Sequence, residues 1–280
     1  MPETPFDQIK KTLSKELPSK SITKLPDKWE KIGDVLLLKL HPNLANYREK
    51  IGETYAHVLE CKTVLQDMGS ISGAYRKPNV HIIYGSEETE TIHIENGIRF
   101  KLDPQRIMFS SGNMDERIRM ASVSNKNETV VDLFAGIGYF MLPVAVYSKP
   151  KKIYACEINP AAYEYLCNNI VLNDVTSIVE PLLGDNRVVA PKNVASRVIM
   201  GYIMDTHTFL PTAIRCLKNN TGFLHYHEVC PDELLPDRPL KRTEEIARKF
   251  NRRINLLKYT HVKSYAPGVN HVALDFEIGE

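Results

Sequence analysis

Val131-Asp132-Leu133-Phe134-Ala135-Gly136-Ile137-Gly138-Tyr139-Phe140 is the stretch on which the reading of this chain turns. It continues the apolar run Thr129-Val130-Val131 and leads into the spaced apolar residues of a helix, so a strand here turns into a helix. Glycines at 136 and 138 let the main chain approach a ligand closely and take angles that a side chain forbids, while a helix start adds partial positive charge. An ordinary tight turn would use the same two glycines. Acids further along separate these readings. Glu157 closes the next strand, 19 residues after Gly138, where a carboxylate can accept hydrogen bonds from both hydroxyls of a ribose. Asp185 and Asn186 follow a third strand, where an acid and an amide can bind the amino group and a ring nitrogen of adenine. All three sites lie at strand C-terminal ends, the edge at which open α/β sheets bind ligands.

An adenosine-type ligand is therefore expected. A dinucleotide-binding G-x-G-x-x-G loop needs a third glycine for close helix packing, and that position is Met141. A Walker phosphate loop is absent. Asp132 and Phe134 ahead of the two glycines favour S-adenosylmethionine over a nicotinamide cofactor.

Outward from this segment the chain alternates strand and helix. Strands are expected at 129–133, 152–156, 178–183, 197–203 and 222–227, and helices at 139–147 and 160–172. This rhythm implies a parallel sheet covered by helices on both faces. Two long strands, 254–265 and 269–278, are joined only by Ala266-Pro267-Gly268, too short for a parallel crossover, so that pair is antiparallel. The expected fold class is α/β, a Rossmann-like sheet, mostly parallel with an antiparallel edge strand, as in class I S-adenosylmethionine-dependent transferases. A smaller α+β domain precedes it. There Ile32 to Leu40 reads as one strand, Leu44 to Leu65 as a helical face, and 80–84, 91–94 and 98–102 as strands, with Asn96-Gly97 a hairpin turn. The lysine-rich residues 1–30, with a weak helical pattern around Phe6, Ile9 and Leu13, read as a loosely attached helix or arm, giving expected boundaries of 1–30, 31–104 and 105–280.

Composition narrows the class further. With 43% hydrophobic and 25% charged residues in 280, the chain is neither a disordered tract nor a disulfide scaffold. Lys+Arg 36 against Asp+Glu 34 leaves a net charge of +2, which by itself selects no partner. Five cysteines without a C-x-x-C pair fit a reducing cytoplasm and argue against structural zinc. Met1-Pro2-Glu3-Thr4-Pro5 is unlike a signal peptide, and no apolar run approaches the ~20 residues that span a bilayer. The expectation is a soluble cytoplasmic protein with no metal and no membrane.

Seven segments together resemble a known family. These are Phe109-Ser110-Ser111-Gly112-Asn113-Met114-Asp115-Glu116-Arg117, the glycine segment from Asp132 to Phe140, Glu157-Ile158-Asn159-Pro160, Asp185-Asn186-Arg187, Val198-Ile199-Met200-Gly201-Tyr202, His225-Tyr226-His227-Glu228 and Tyr265-Ala266-Pro267-Gly268-Val269-Asn270-His271-Val272. From about Tyr75 onward the chain is similar to the archaeal and eukaryotic wybutosine-pathway tRNA aminocarboxypropyltransferases, relatives of the tRNA guanosine-37 N1-methyltransferases. The resemblance implies transfer of the 3-amino-3-carboxypropyl group of S-adenosylmethionine to a carbon of 4-demethylwyosine at position 37 of tRNA(Phe), in the anticodon loop, with release of 5′-methylthioadenosine. It implies donor contacts from Ser110 and Arg117, with Glu157, Asp185 and Asn186 on the adenosine part. Asp132, Phe134, Gly136 and Gly138 join the expected site, and because an arginine can clamp a carboxylate with two parallel hydrogen bonds, Arg117 is expected on the donor's carboxylate. Methylating relatives grip a target nitrogen with a proline-containing Asn/Asp motif after the fourth strand. Here that strand runs into Met200-Gly201-Tyr202-Ile203, which lacks proline, amide and carboxylate, and nitrogen methylation loses support. A guanosine-37 N1-methyltransferase, and a noncatalytic tRNA-binding protein with a vestigial pocket, are the alternatives.

In His225-Tyr226-His227-Glu228, strand alternation sends 225 and 227 one way and 226 and 228 the other. His227 and Glu228 are the candidates for a general base; packing is the competing role. The window 238–263 holds nine Lys/Arg and two acids, a local charge of +7 in a chain of +2, so the remainder carries −5. Such a basic segment is either a solvated face or a phosphate-neutralising RNA surface. Tyr75-Arg76-Lys77 is a further candidate tRNA contact, with an ordinary exposed loop as the competing reading.

Overall fold

Thr4 starts the first helix, Pro5–Leu13, with a capping box: its hydroxyl accepts from the Asp7 amide at 3.2 Å, and the Asp7 carboxylate accepts from the Thr4 amide at 3.2 Å. The computed structural model describes residues 3–69, 75 and 77–280, so Met1-Pro2 and Arg76 of the expected tRNA-contact tripeptide lie outside the described residues. The chain divides into two compact units, one of residues 1–94 and 99–111, the other of 95–98 and 112–280.

In the first unit, strands β1 (Glu30–Ile32), β2 (Val35–Leu38), β3 (Thr63–Asp67) and β4 (Val80–Gly85) form a sheet in that order. Only β2 and β3 run parallel, and the helix Arg48–Leu59 makes the crossover between them. Gly52 lets this helix approach β4, since a Cβ there would lie 2.9 Å from the Tyr84 Cβ. The expected single strand 32–40 is two strands, because Gly33 at φ +57° folds the chain back between them. The expected helical face to Leu65 ends at Leu59. Glu60 takes a left-handed cap at φ +52°, and the buried run Thr63-Val64-Leu65 opens β3; a short buried run does not declare its period. The arm is not loosely attached: Ile9 and Leu13 are fully buried in one cluster with Leu36, Leu38, Ile51, Tyr55 and Val64. Strands β5 (Thr91–Glu95) and β6 (Ile98–Leu102) pair around Asn96 and Gly97, both at positive φ as a tight hairpin turn requires.

The second unit is built on seven strands: β7 (Thr129–Asp132), β8 (Lys152–Glu157), β9 (Val179–Leu183), β10 (Arg197–Met200), β11 (Gly222–Pro231), β12 (Arg253–Ala266) and β13 (Val269–Gly279). Their order is β12-β13-β11-β10-β7-β8-β9, with parallel pairing from β11 through β9. The reversed strand is β13, which pairs antiparallel with both β11 and β12; it therefore sits one place in from the edge, and β12 is the edge strand. The chain leaves β7 for β8 on one side and reaches β10 on the other, so the topological switch point lies between β7 and β10. Val131, Leu133, Val198, Leu224, Tyr226, Leu274 and Phe276 belong to the core cluster of this sheet. The helix expected over 139–147 starts as α at Met141–Pro143 and widens to a π-turn at Val144–Ser148, next to Pro143, which has no N–H to donate. The basic window is two elements, the helix Asp237–Lys249 and β12. Among the described residues no helix is long and apolar enough to cross a membrane.

Candidate functional site

Asp132 ends β7 fully buried, with one carboxylate oxygen accepting from the Phe134 amide at 3.0 Å and the other, Oδ2, without a partner. Gly136 and Gly138 follow at φ +57° and +105°, where added Cβ atoms would lie 2.4 Å from the Tyr139 ring and 2.5 Å from Leu142. The loop is tied to the next strand. Glu157 at the end of β8 accepts from the Gly136 amide through Oε2 at 2.7 Å and from the Asn159 amide through Oε1 at 2.7 Å. Asn159 in turn caps the helix Pro160–Leu172 by accepting from the Ala161 amide. After β9, Asp185 caps the short helix Asn186–Val189, and Arg187 folds back onto its carboxylate. Asn186 is buried; its Nδ2 donates to the Leu133 carbonyl at 2.8 Å, which fixes the amide orientation and leaves Oδ1 without a partner.

Seven predicted positions, Asp132, Phe134, Gly136, Gly138, Glu157, Asp185 and Asn186, thus meet at the C-terminal edge around the switch point. Buried acceptors with no protein donor, Asp132 Oδ2 and Asn186 Oδ1, fit a ligand that brings its own N–H or O–H groups. Sequence reading missed the aromatic wall: the Phe134 ring stacks on Tyr202 at 5.2 Å and meets Phe209 edge-on at 4.9 Å. Tyr202 was visible only as the residue following Met200-Gly201, and Phe209 carried no signal. Ile158, next to Glu157, is 48% exposed, as an apolar side chain lining a cleft would be.

The acids differ in charge state. Burial pushes the Asp132 carboxyl up to about 7, helped by the nearby Glu157 charge and opposed by the Phe134 amide. Burial also raises Glu157, against the amides of Asn159, Gly136 and Ile158, whereas the Arg187 guanidinium holds Asp185 low. A group raised on folding stabilises fully below its unfolded value of 3.8, and that contribution is lost as pH rises through about 7. Asp132→Asn is therefore expected to gain stability relative to wild type between about pH 4 and pH 7, as read from urea unfolding midpoints at both ends. A constant difference across that range would contradict a proton held on Asp132.

Other predicted residues are placed differently. Ser110 belongs to the first unit and is half-buried. Arg117 is in the second unit, 3% exposed, with Nε and Nη2 on the two oxygens of Glu95 at 2.6 and 2.8 Å, so the fork expected for a ligand carboxylate is held by a protein one. Glu228 accepts from Tyr226, Arg238 and Arg242, facing away from His225 and His227. His227 is fully buried, stacked on Phe140 at 4.9 Å and 3.0 Å from His271; burial pushes its imidazole down to about 3. Its neutral ring is basic in the wrong range to hold a proton near pH 7. His225 joins a buried chain of charges: Asp275 at 2.6 Å and Arg197 at 2.7 Å, with Arg197 paired to Glu128 and Asp275 to Arg119, which also grips Glu116. Among the described residues, no group of three or more His, Cys, Asp or Glu side chains is placed to hold a metal ion.

A doubly wound sheet with one reversed strand, a two-glycine loop and acids at three strand ends defines a class I S-adenosylmethionine-dependent transferase fold. Residues 91–256 match the TRM5/TYW2 methyltransferase domain and residues 9–89 the TYW2 N-terminal domain. The chain belongs to the TRM5/TYW2 family. It is 45% identical over 271 residues to the tRNA(Phe) (4-demethylwyosine(37)-C(7)) aminocarboxypropyltransferase of Pyrococcus horikoshii, covering 97% of this chain and 96% of that protein. The crystal structure of P. horikoshii TYW2 in complex with MeSAdo is similar at a TM-score of 0.88 and 42% identity, over 98% of this chain and 99% of that one. The M. jannaschii TYW2 structure in complex with AdoMet is similar at 0.74 and 43%, over 90% and 100%.

Proposed function

We propose that this chain transfers the 3-amino-3-carboxypropyl group of S-adenosylmethionine to a carbon of 4-demethylwyosine at position 37 of tRNA(Phe), in wybutosine-derivative biosynthesis. The observation that carries this reading is the match, over nearly the whole length of both chains, to a relative named for this transfer. The N-terminal match at 9–89 supports it over a guanosine-37 methyltransferase.

The donor supplies a sulfonium carrying three activated carbons. Transfer of the aminocarboxypropyl group forms a bond from the base carbon to the methylene and breaks the methylene–sulfur bond. The electron pair goes to sulfur, 5′-methylthioadenosine leaves, and the base carbon gives up its proton to solvent water. The chain's task is to bind and orient. Glu157 accepts the ribose hydroxyls, Asp185 and Asn186 the adenine edge, and the backbone at Gly136 and Gly138 allows close approach. Asp132, protonated below about pH 7, can donate as well as accept toward the donor. Ser110 and Arg117 complete the proposed set, although in the protein alone Glu95 holds the Arg117 fork and balances its charge. Met200-Gly201-Tyr202-Ile203 offers no side-chain amide or carboxylate to a target nitrogen, in keeping with carbon as the nucleophile.

We also propose the segments 1–30, 31–104 and 105–280 as the functional divisions, the anticodon loop as the part of tRNA engaged, and the cytoplasm as the compartment, which suits five free cysteines. The test uses donor labelled on the methyl or on the carboxyl carbon, with tRNA carrying the tricyclic precursor and with unmodified tRNA. Carboxyl label retained in precursor tRNA, with methylthioadenosine released, is the expected result. Methyl label on guanosine would instead make the chain a methyltransferase, and no label in either RNA would make it a binding protein.

A further inference from the structure

The sheet is uneven at its ligand-binding edge. Strand β10 ends at Met200, opposite Tyr226, but β11 continues five residues further to Pro231, opposite Val269. At ~3.3 Å per residue that is an overhang of roughly 17 Å. Strand β12 runs in the same direction as β11 and accompanies it, His261 opposite Val272 and Ala266 opposite Val269. A three-stranded wall therefore rises beside the opening where Asp132, Glu157 and Asp185 sit, and its outer face is β12.

The inner strand of this wall is covered and the outer one is not. Residues 271–276 of β13 are all buried, whereas Asn255 to Tyr259 and Ser264 to Gly268 are exposed, with Leu257 at 50%, Tyr259 at 41% and Tyr265 at 47%. Registers show which side chains share a face. Lys258 lies opposite Asp275 and Lys263 opposite His271, two residues that point to one side of β13, while Tyr259 opposite Leu274 and His261 opposite Val272 point to the other, so cations and rings flank the free edge from its two faces. Lys263 reaches the segment ahead of the helix Met114–Met120: a Cβ on Gly112 would lie 3.3 Å from its Cδ. This segment, residues 109–117, is one of the seven on which the resemblance to the transferases rests.

Two kinds of partner could cover such an edge. A second copy of the chain pairing strand to strand needs a regular ladder, and β12 breaks its register three times, with Leu257, Val262 and Tyr265 as the extra residues. Bulges and edge lysines are the devices that prevent such pairing. Charge points to the other partner. The window 238–263 carries +7 while the rest of the chain carries −5. Within it, Arg238 and Arg242 are committed to Glu228, so the helix Asp237–Lys249 offers less positive charge than its sequence implies. Arg253 and Lys258, on β12, are exposed. Lysines interleaved with tyrosines form the pattern by which unpaired nucleotides are held, cations on phosphates and rings on bases.

We infer that the edge of β12, where Lys258 and Tyr259 lead up to the overhang and His261, Lys263 and Tyr265 line it, is a docking surface for single-stranded RNA that seats the unpaired nucleotides flanking the target base beside the donor. The inference rests on the proposed function, since it takes tRNA as the substrate. The test is equilibrium binding of the full chain to precursor tRNA across a salt series, for wild type, Lys258→Ala/Lys263→Ala, Tyr265→Ala and Tyr265→Phe, with donor affinity measured calorimetrically on each. Losing two phosphate contacts flattens the slope of log K against log salt by about 1.5. Tyr265→Ala weakens binding about tenfold, Tyr265→Phe retains it, and donor affinity is unchanged in all. Wild type and variants binding tRNA alike, with equal slopes, would overturn the surface and leave the proposed function standing. Wild type failing to bind tRNA would overturn both. A wild-type dimer in sedimentation that Tyr265→Ala splits would overturn the surface in favour of a contact between copies.

Discussion

Glu157→Ala is expected to weaken binding of S-adenosylmethionine by more than about a hundredfold. Hydrogen bonds to a charged group are worth about 1.5–3 kcal/mol each, and two ribose hydroxyls on one carboxylate reach two decades at about 1.4 kcal/mol per decade. A second loss adds to this. In the protein alone the carboxylate already joins the Gly136 amide to the Asn159 amide, each at 2.7 Å, so its removal unties the glycine loop from the turn that starts the helix Pro160–Leu172. Glu157→Gln recovers only part of the affinity, because one of its two atoms becomes a donor facing an N–H donor. Isothermal calorimetry on the three proteins checks this. An affinity for Glu157→Ala within about threefold of wild type would remove Glu157 from the donor site.

Arg119→Met is expected to cost about 3–5 kcal/mol of stability, the range found when one member of a buried ion pair is deleted. Arg119 donates to Glu116, three residues earlier on its own helix, and to Asp275 of β13, 156 residues away. Glu116 is 2% exposed and Asp275 9%, so neither carboxylate can turn to water when its partner goes. Although burial works against it, the hydrogen bonds from His225 and Arg119 hold Asp275 well below the ordinary carboxylate range. A lowered value contributes stability that is present above the unfolded value of 3.8 and lost as pH falls through the folded one, so the pair stabilises fully at neutral pH. Adding Asp275→Asn to Arg119→Met returns part of the loss, since one stranded charge disappears. Thermal unfolding of the two variants at pH 7 and low salt tests this; a loss below about 1 kcal/mol would mean that the pair is solvated as surface pairs are.

How much of this was legible in the sequence depended on range. The parallel half of the large sheet could be read because each strand–helix alternation is local, and Asp132 and Glu157 close their own strands while Asp185 follows its strand by two residues. The helix Pro160–Leu172 was bounded correctly because Asn159 and Pro160 mark its start. Long-range pairs left no trace: nothing near Arg117 announces Glu95, 22 residues earlier, and nothing near Arg119 announces Asp275. The strand Thr63–Asp67 was hidden because Leu65 continues the apolar spacing of the helix before it, and Ile9 and Leu13 showed a helical pattern but sat among lysines that suggested loose attachment. His227 and Glu228 looked equivalent as bases in the sequence. Their partners separate them, one a neutral buried ring against Phe140 and the other an anion held by two arginines.

The most direct test of the account is a crystal structure of this chain with bound S-adenosylmethionine. The predicted result has the ribose on Glu157, the adenine on Asp185 and Asn186, donors filling Asp132 Oδ2 and Asn186 Oδ1, and the methylene of the amino-acid arm turned to the opening beside Tyr202. A donor seated in the same pocket with its methyl group toward that opening and its amino-acid arm buried would contradict aminocarboxypropyl transfer and make this protein a methyltransferase.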